Sequence, residues 1–431
     1  MKGIVIAAPN SGSGKTILTL GIIKTLKDLK YTVFPCKVGP DYIDTAFLRR
    51  ISGQEAQNLD SFLQGKEYKI LINKDLDLCI IEGVMGYFDG IYNTFENSTY
   101  SIAKDLNLNA ILVYAPKGEM FSVVPKIQGM VNFAPNIKGI IFNRVSKNYF
   151  KLLKEIVEKY VGIKVLGFIE ESKYLEINSR HLGLIQSVEV EDLEEKIEKV
   201  SHEIKKNVDL DEFLKLTKEI NVFSPMTFTK TNFKAAIALD RAFSFYYREN
   251  IDILNSLFEV EFFSPIKDKV LPDADFVYIG GGYPEIFKEE LSANKKMLMS
   301  IRDFVEGGGF LFAECGGLMY LTEKIDDRYM VGIFKGETYM TDKLQNFGYV
   351  EVEIERDCVI GYKGDKFTGH EFHKSVVNLK HEKILRVKKA MGNRITDCGY
   401  QYKNAFAMYP HVSFFGSFNI VKNILQRMKG E

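Results

Sequence analysis

The sequence predicts two α/β domains, the first built on a parallel sheet behind a phosphate-binding loop. Three observations carry this. A chain of 431 residues exceeds one ordinary hydrophobic core. Short apolar runs alternate with helical patterns through the first half, the signature of a parallel sheet covered on both faces. Each half then ends an apolar run in a glycine-rich turn: Ser11-Gly12-Ser13-Gly14-Lys15-Thr16 near the start, and Glu314-Cys315-Gly316-Gly317 in the second half.

Strands are predicted at 3–8, 32–36, 78–82, 110–114, 138–142 and 164–168, with helices at 15–29, 44–51, 99–106 and 149–160. A charged helical stretch follows at 190–220. The Thr-rich, turn-forming segment that follows reads as a linker, so the expected division is 1–222, linker 223–233, and 234–431. Further strands are expected at 234–238, 258–263, 275–279, 309–313, 348–354 and 405–409, with more β structure toward the end. No internal repeat or low-complexity tract interrupts the pattern.

Composition narrows the class. Hydrophobic residues make up 46% and charged residues 26%, as in soluble globular enzymes. Lys+Arg and Asp+Glu each number 57, and no charged tail argues for nucleic acid or a membrane surface as partner. No apolar run is long enough to span a bilayer. The first strand begins within a few residues, without the charged and longer apolar regions of a signal peptide, so none is expected. The cysteines Cys36, Cys79, Cys315, Cys358 and Cys398 are scattered, without a CxxC pair; a reducing, cytoplasmic setting and no zinc site are expected.

The first turn matches a phosphate loop. Gly12 and Gly14 free backbone N–H groups to face phosphate oxygens, and a helix starting near Lys15 adds its N-terminal dipole. Lys15 can neutralise the β/γ-phosphates of ATP, and Thr16 can hold Mg²⁺. Pro9 replaces the usual leading glycine, and Asn10 stands where partition-type ATPases carry a lysine. Carboxylates at neighbouring strand ends complete such a site: Glu82 and Asp89 in a three-glycine loop, and Asp41 and Asp44 in Lys37-Val38-Gly39-Pro40-Asp41-Tyr42-Ile43-Asp44. Glu82 and Asp41 read as metal or substrate ligands. Helix capping is the alternative for these acids, Asp44 above all.

The second turn has nucleophile-elbow character with cysteine in place of serine. A helix beginning under Cys315 would favour its thiolate. The N–H groups of Gly281, Gly282 and Tyr283, in the glycine-rich loop that starts at Gly280, can form an oxyanion hole with that of Gly316. His411, late in the chain at a strand end, is the candidate base. His370 and His373 are spaced like a metal pair but lack a third ligand, so a structural or substrate-facing role is expected. An inert buried thiol is the bland alternative for Cys315, and the other cysteines read as structural.

Taken together, these residues resemble the cobyrinate a,c-diamide synthase family along essentially the whole chain. Its marks include the loop at 11–16, the segment 37–44, Asn58-Leu59-Asp60, the loop 82–90, Asn143-Arg144-Val145, Arg180-His181-Leu182-Gly183-Leu184, the segment 242–247, the loop 280–285, Cys315-Gly316-Gly317 and the segment 369–373. The resemblance implies an N-terminal synthetase domain similar to dethiobiotin synthetase, followed by a class I glutamine amidotransferase domain. It implies MgATP, L-glutamine or ammonia, and cobyrinate as partners, and amidation of the a and c acetates through acyl phosphates. Cys315 would be the glutaminase nucleophile and His411 its base. Asp41, Tyr42, Asp44, Glu82 and Asp89 would bind substrate, with Thr16, Asp41 and Glu82 about the metal. Ser413, where relatives often carry a second histidine, leaves the third member of the triad unassigned, and Tyr114 replaces the usual aspartate after the fourth strand. Two alternatives stand beside this reading: a Ni-sirohydrochlorin a,c-diamide synthase with the same chemistry, and a P-loop switch with an inactive amidotransferase domain. Homo-oligomerisation is left open.

Overall fold

The structure, a computed structural model, describes residues 1–72, 74–171, 192–224 and 226–430. The family mark at 180–184 lies outside these residues. Two compact units divide the chain: Met1–Ser61 with Lys66–Pro225, and Phe62–Gly65 with Met226–Glu431. No helix among the described residues is long and apolar enough to cross a membrane.

The first unit follows the alternation predicted for it. Its elements are β1 (Lys2–Ala7), α1 (Lys15–Asp28), β2 (Val33–Val38), α2 (Tyr42–Ser52), β3 (Gln57–Leu59), β4 (Leu78–Glu82), α3 (Thr99–Asp105), β5 (Ala110–Tyr114), α4 (Val123–Phe133), β6 (Ile137–Asn143), α5 (Lys147–Tyr160), β7 (Lys164–Ile169), α6 (Leu193–Asn207), α7 (Leu210–Lys215) and β8 (Lys218–Glu219). The strands lie in the order β3-β2-β4-β1-β5-β6-β7, all parallel, with β8 antiparallel on the start of β1. β2, β4 and β5 are buried at every position, as strands covered on both faces must be. Ser98 and Ser146 cap α3 and α5 through their side chains. Helix α4 and the short β3 were not anticipated. Pro125 and Gly129 weaken the helical signal of α4, yet Pro125 sits in the first turn, where no intrahelical N–H is lost.

The second unit contains β9 (Lys234–Ala238), β10 (Phe243–Phe245), α8 (Arg248–Leu257), β11 (Glu259–Phe263), β12 (Phe276–Ile279), β13 (Gly281–Gly282), α9 (Lys288–Ala293), α10 (Lys295–Glu306), β14 (Phe310–Glu314), α11 (Gly316–Leu321), β15 (Thr322–Ile325), β16 (Arg328–Tyr329), β17 (Phe334–Met340), β18 (Asn346–Ile354), β19 (Lys366–His373), β20 (Ser375–Leu379), β21 (Leu385–Lys389), β22 (Ile395–Cys398), β23 (Tyr400–Tyr402), β24 (Ala405–Met408) and α12 (Asn419–Met428). Its main sheet runs β11-β9-β12-β14-β24-β23, parallel except for the last strand. Three small sheets flank it: β10-β13, β16-β15-β17-β20 and β19-β18-β21-β22. Most strands of these small sheets escaped the sequence reading, because half-exposed antiparallel strands carry weak apolar runs.

Helices α1 and α6 meet at Gly21, where an added Cβ would lie 2.4 Å from Val200 Cγ1 and 2.8 Å from Ile204 Cδ1. Gly21→Ala gains about 1 kcal/mol of helix propensity but overpacks a contact of two β-branched side chains, at a cost of about 1–3 kcal/mol. The expected outcome is a net destabilisation of about 1 kcal/mol in urea denaturation.

Candidate active sites

The phosphate loop spans the end of β1 and the start of α1, and its geometry depends on one glycine. Gly14 precedes α1 at φ 88°, ψ 23°, a left-handed conformation that aims the next N–H groups into the loop. A Cβ there would meet Asn143 Nδ2 at 2.2 Å. Asn143, at the end of β6, donates to the Ser13 carbonyl at 2.9 Å and so holds the loop from behind. Ser13 Oγ donates to Asn10 Oδ1 at 2.6 Å. Lys15 reaches across to the Met85 carbonyl. Burial, reinforced by Lys37, lowers the Lys15 ammonium to about 8.

Around the loop lies a buried ionic cluster centred on Lys37, a residue the sequence reading did not single out. Its ammonium pairs with Asp44 Oδ2 at 2.5 Å and Glu82 Oε1 at 2.8 Å. Lys37 is 3% exposed and Glu82 wholly buried. Burial alone would lower the Lys37 pKa, but the Asp44 and Glu82 charges outweigh it and hold it raised. Thr16 Oγ1 donates to Glu82 Oε1 at 2.6 Å and lies 3.4 Å from Asp44 Oδ2. Burial raises the Glu82 pKa, with Lys37 opposing it.

Among the four acids the roles divide. Asp41, not Asp44, caps α2, accepting the N–H groups of Ile43 at 3.0 Å and Asp44 at 2.9 Å. Burial and the Asp44 charge push Asp41 up to about 7. Asp44, a candidate cap in the sequence, is instead the partner of Lys37, which keeps its pKa low against the effect of burial. Asp89 accepts the Gly86 N–H at 2.8 Å and shapes the loop after Glu82. Tyr42 begins α2 beside the Asp41 cap. The described residues contain no cluster of three His, Cys, Asp or Glu side chains suited to a metal ion. Thr16 and Glu82 nevertheless present hard oxygens side by side, and Glu82 Oε2 is buried without a hydrogen bond. That donor set suits Mg²⁺ completed by phosphate oxygens and water.

In the second unit, β14 ends at Glu314 and α11 begins at Gly316, with Cys315 between them at φ 49°, ψ −105°. This conformation is strained for any residue with a Cβ, and it presents the thiol at the turn's tip. The Cys315 N–H donates to the Met408 carbonyl at 2.8 Å, tying the turn to β24. A Cβ on Gly316 would lie 2.9 Å from Pro284 Cδ and 3.1 Å from the Gly282 nitrogen. Gly282 and Gly316 therefore converge. A Cβ on Gly281 would strike His411 Cε1 at 2.3 Å, so the imidazole rests on the Gly281 backbone. The Tyr283 N–H, expected in the oxyanion hole, donates instead to the Ala242 carbonyl at 3.0 Å. That bond follows from the pairing of β13 with β10 and leaves Gly281, Gly282 and Gly316 as the backbone candidates.

His411 faces a carboxylate that the sequence reading passed over. Glu314 Oε2 lies 3.9 Å from His411 Nδ1. The Glu314 oxygens accept the Val412 N–H at 3.0 Å and the Tyr278 hydroxyl at 2.9 Å, which fixes the carboxyl group. Burial raises Glu314 to about 8. Burial, with His370 and His373, lowers His411 to about 3, so its imidazole is neutral at neutral pH. Ser413 turns away and donates to Glu249 at 2.8 Å. Burial, followed by the Glu285 charge, pushes the Cys315 thiol well up, against a hydrogen bond from the Gly316 N–H. His370 and His373 are not a metal pair: on β19 a spacing of three puts them on opposite faces.

Two family models match the chain in the same order as its units. The CobQ/CobB/MinD/ParA nucleotide binding domain matches residues 4–185, and the CobB/CobQ-like glutamine amidotransferase domain matches residues 234–418. The chain is 46% identical to the cobyrinate a,c-diamide synthase of Clostridium tetani over 99% of its own length and 100% of the relative's. It is 45% identical to that of Clostridium acetobutylicum at the same coverage, and 42% identical to that of Methanocaldococcus jannaschii over 91% of both chains. The chain belongs to the cobyrinate a,c-diamide synthase family. In this family member a carboxylate beside the candidate base is Glu314, the residue before the cysteine. The signal available in the sequence was an acid closing an otherwise apolar strand, Phe310–Glu314. Lys37 carried the same kind of signal, a lone cation inside Val33–Val38.

Two outcomes test this geometry. Lys37→Met strands two acids and should lower stability by about 3 kcal/mol in urea. The deficit should shrink toward pH 5, because acids left without their cation take up protons in the folded state before the unfolded chain does. Cys315 in the resting chain should be alkylated slowly by iodoacetamide at pH 7. Peptide-resolved mass spectrometry should show its rate rising with pH up to pH 9 without the plateau of an ordinary thiol.

Proposed function

We propose that the chain catalyses ATP-dependent amidation of the a and c acetate carboxylates of cobyrinate, using ammonia released from glutamine at Cys315. The observation that carries this reading is the strained backbone of Cys315 between Glu314 and Gly316, in a chain that also holds an ordered phosphate loop. The full-length similarity to proteins named cobyrinate a,c-diamide synthase supports the choice of acceptor.

In the glutaminase half, Cys315 Sγ attacks the side-chain amide carbon of glutamine and its proton passes to His411. Glu314 lies beside the imidazole and positions it. The N–H groups near Gly282 and Gly316 receive the developing oxyanion. His411 returns the proton to the leaving nitrogen, ammonia departs, and water hydrolyses the γ-glutamyl thioester. In the synthetase half, a substrate carboxylate attacks the γ-phosphate of ATP, ADP leaves, and ammonia displaces phosphate from the acyl phosphate. Lys15 and the loop N–H groups supply charge neutralisation and alignment. Thr16 and Glu82 are the residues that would hold Mg²⁺, which when bound shields the phosphate charge. All five cysteines are free thiols, which suits a reducing cytoplasm.

The test is mass spectrometry of cobyrinic acid and of Ni-sirohydrochlorin, each incubated with the protein, MgATP and glutamine. Two successive replacements of hydroxyl by amine on the cobalt substrate are expected. The same change on the nickel substrate alone would reassign the acceptor. ATP hydrolysis without change in either would sink the amidation reading. Cys315→Ser should cut glutamine-driven amidation by roughly 10³-fold or more while ammonia still drives it.

A further inference from the structure

Strand β19 carries a group of buried acceptors that the mechanism above does not use. Glu371 is 2% exposed, and its Oε2 has no hydrogen-bond partner. The cation nearest to it, Lys389 Nζ, stands 3.7 Å away and donates to the Phe347 carbonyl at 2.6 Å. Two residues along, on the same face, His373 Nδ1 is 2.9 Å from the Ser375 carbonyl. Only an N–H can satisfy a carbonyl, so Nδ1 carries the proton and Nε2 is left as an acceptor. That Nε2 lies 3.9 Å from Glu371 Oε1 and is buried without a partner.

The neighbouring strand adds a third acceptor. In the antiparallel pair of β18 and β19, Asn346 opposes His373 and Gly348 opposes Glu371, so all four share one face. Asn346 Oδ1 is also buried without a hydrogen bond. At Gly348 an added Cβ would meet nothing within 4 Å, which leaves space beside the carboxylate. Lys389, opposite Val350 on this same face, comes within 3.7 Å of Glu371, yet Glu371 Oε2, His373 Nε2 and Asn346 Oδ1 all remain buried without a hydrogen bond, a costly arrangement unless a ligand or water supplies donors.

This face belongs to the glutaminase centre. The His373 ring stacks on Tyr409 at 3.8 Å between centroids and 2° between planes. Tyr409 follows β24 directly, and the Met408 carbonyl holds the Cys315 N–H. Ser375 Oγ contacts Tyr409 Oη at 3.0 Å and Met319 Sδ at 3.4 Å, one helical turn past Cys315. The Glu371 charge is among those that act on the Cys315 thiol.

We propose that Glu371, His373 and Asn346 form the receptor for the α-ammonium group of the glutamine hydrolysed at Cys315. An ammonium offers three N–H donors and no acceptor, matching three acceptors, one of them charged. The assignment rests on the glutaminase reading and adds the feature that separates glutamine from other primary amides.

The test compares hydrolysis of glutamine with that of glutaric acid monoamide, which has the same scissile amide and carboxylate but lacks the α-amino group. The native chain should prefer glutamine by on the order of 10²-fold in kcat/KM, because its acceptors stay unpaired with the analogue. Glu371→Gln should collapse this preference to within about tenfold, mainly by raising KM for glutamine relative to that for the analogue. Glu371→Asp keeps the charge and should retain part of the preference; it carries the same comparison if the glutamine variant does not fold. An unchanged preference, or equal losses on both substrates, would overturn the assignment. So would collapse of the preference in Glu285→Gln but not in Glu371→Gln. A native chain that hydrolyses neither amide would instead remove the glutaminase reading beneath it.

Discussion

A buried ammonium organises the first unit. Lys37 sits between Asp44 and Glu82 almost out of reach of solvent, on a strand that is otherwise apolar. The pair cannot be undone on one side without leaving an uncompensated charge in the sheet. Thr16 of the phosphate loop, Asp44 of α2 and Glu82 of β4 are all fixed through that one cation or its partners. Asp41 contributes by capping α2, which sets where Asp44 lies. The cluster also tempers the site's electrostatics: Lys15 is lowered by burial and by Lys37, so an incoming phosphate would restore its full charge as well as bind it.

The second unit answers the same constraint with the opposite sign. Burial acts on the thiol of Cys315 first, and the acids Glu285, in the loop after β13, Glu314 on β14 and Glu371 on β19 act in the same direction. Such surroundings keep the resting sulfur protonated and quiet. The neutral imidazole of His411, the candidate proton acceptor, lies against the Gly281 backbone on one side and Glu314 on the other. Glutamine arriving with its ammonium would neutralise part of this acidic shell at the moment the thiol is needed. Specificity and activation would then come from the same charges.

The two glycine-rich turns were legible because their chemistry is local. Gly14 before Lys15-Thr16, and Cys315 before two glycines, each follow an apolar strand and precede a helix, and the structure shows the left-handed backbone that such turns require. The parallel sheets were legible for a related reason: strands buried on both faces read as unbroken apolar runs. Partners were not legible, because partnership is a long-range property. Nothing in the segment 37–44 says that Asp41 rather than Asp44 would cap α2, since either acid stands near its start. The oxyanion role of the Tyr283 N–H failed for the same reason, as it depends on β10, forty residues earlier in the chain.

By itself, then, the sequence determined the class of fold, the two turns, and the candidates for nucleophile and base. These follow from periodicity and from residue types within a few positions of one another. The tertiary structure alone decided which charged and polar groups meet: Lys37 with Asp44 and Glu82, Glu314 with His411, and Glu371 with His373. Charges act through space over a few ångströms, whereas the sequence orders residues only along the chain. The pairing is fixed when the sheets bring distant strand ends together.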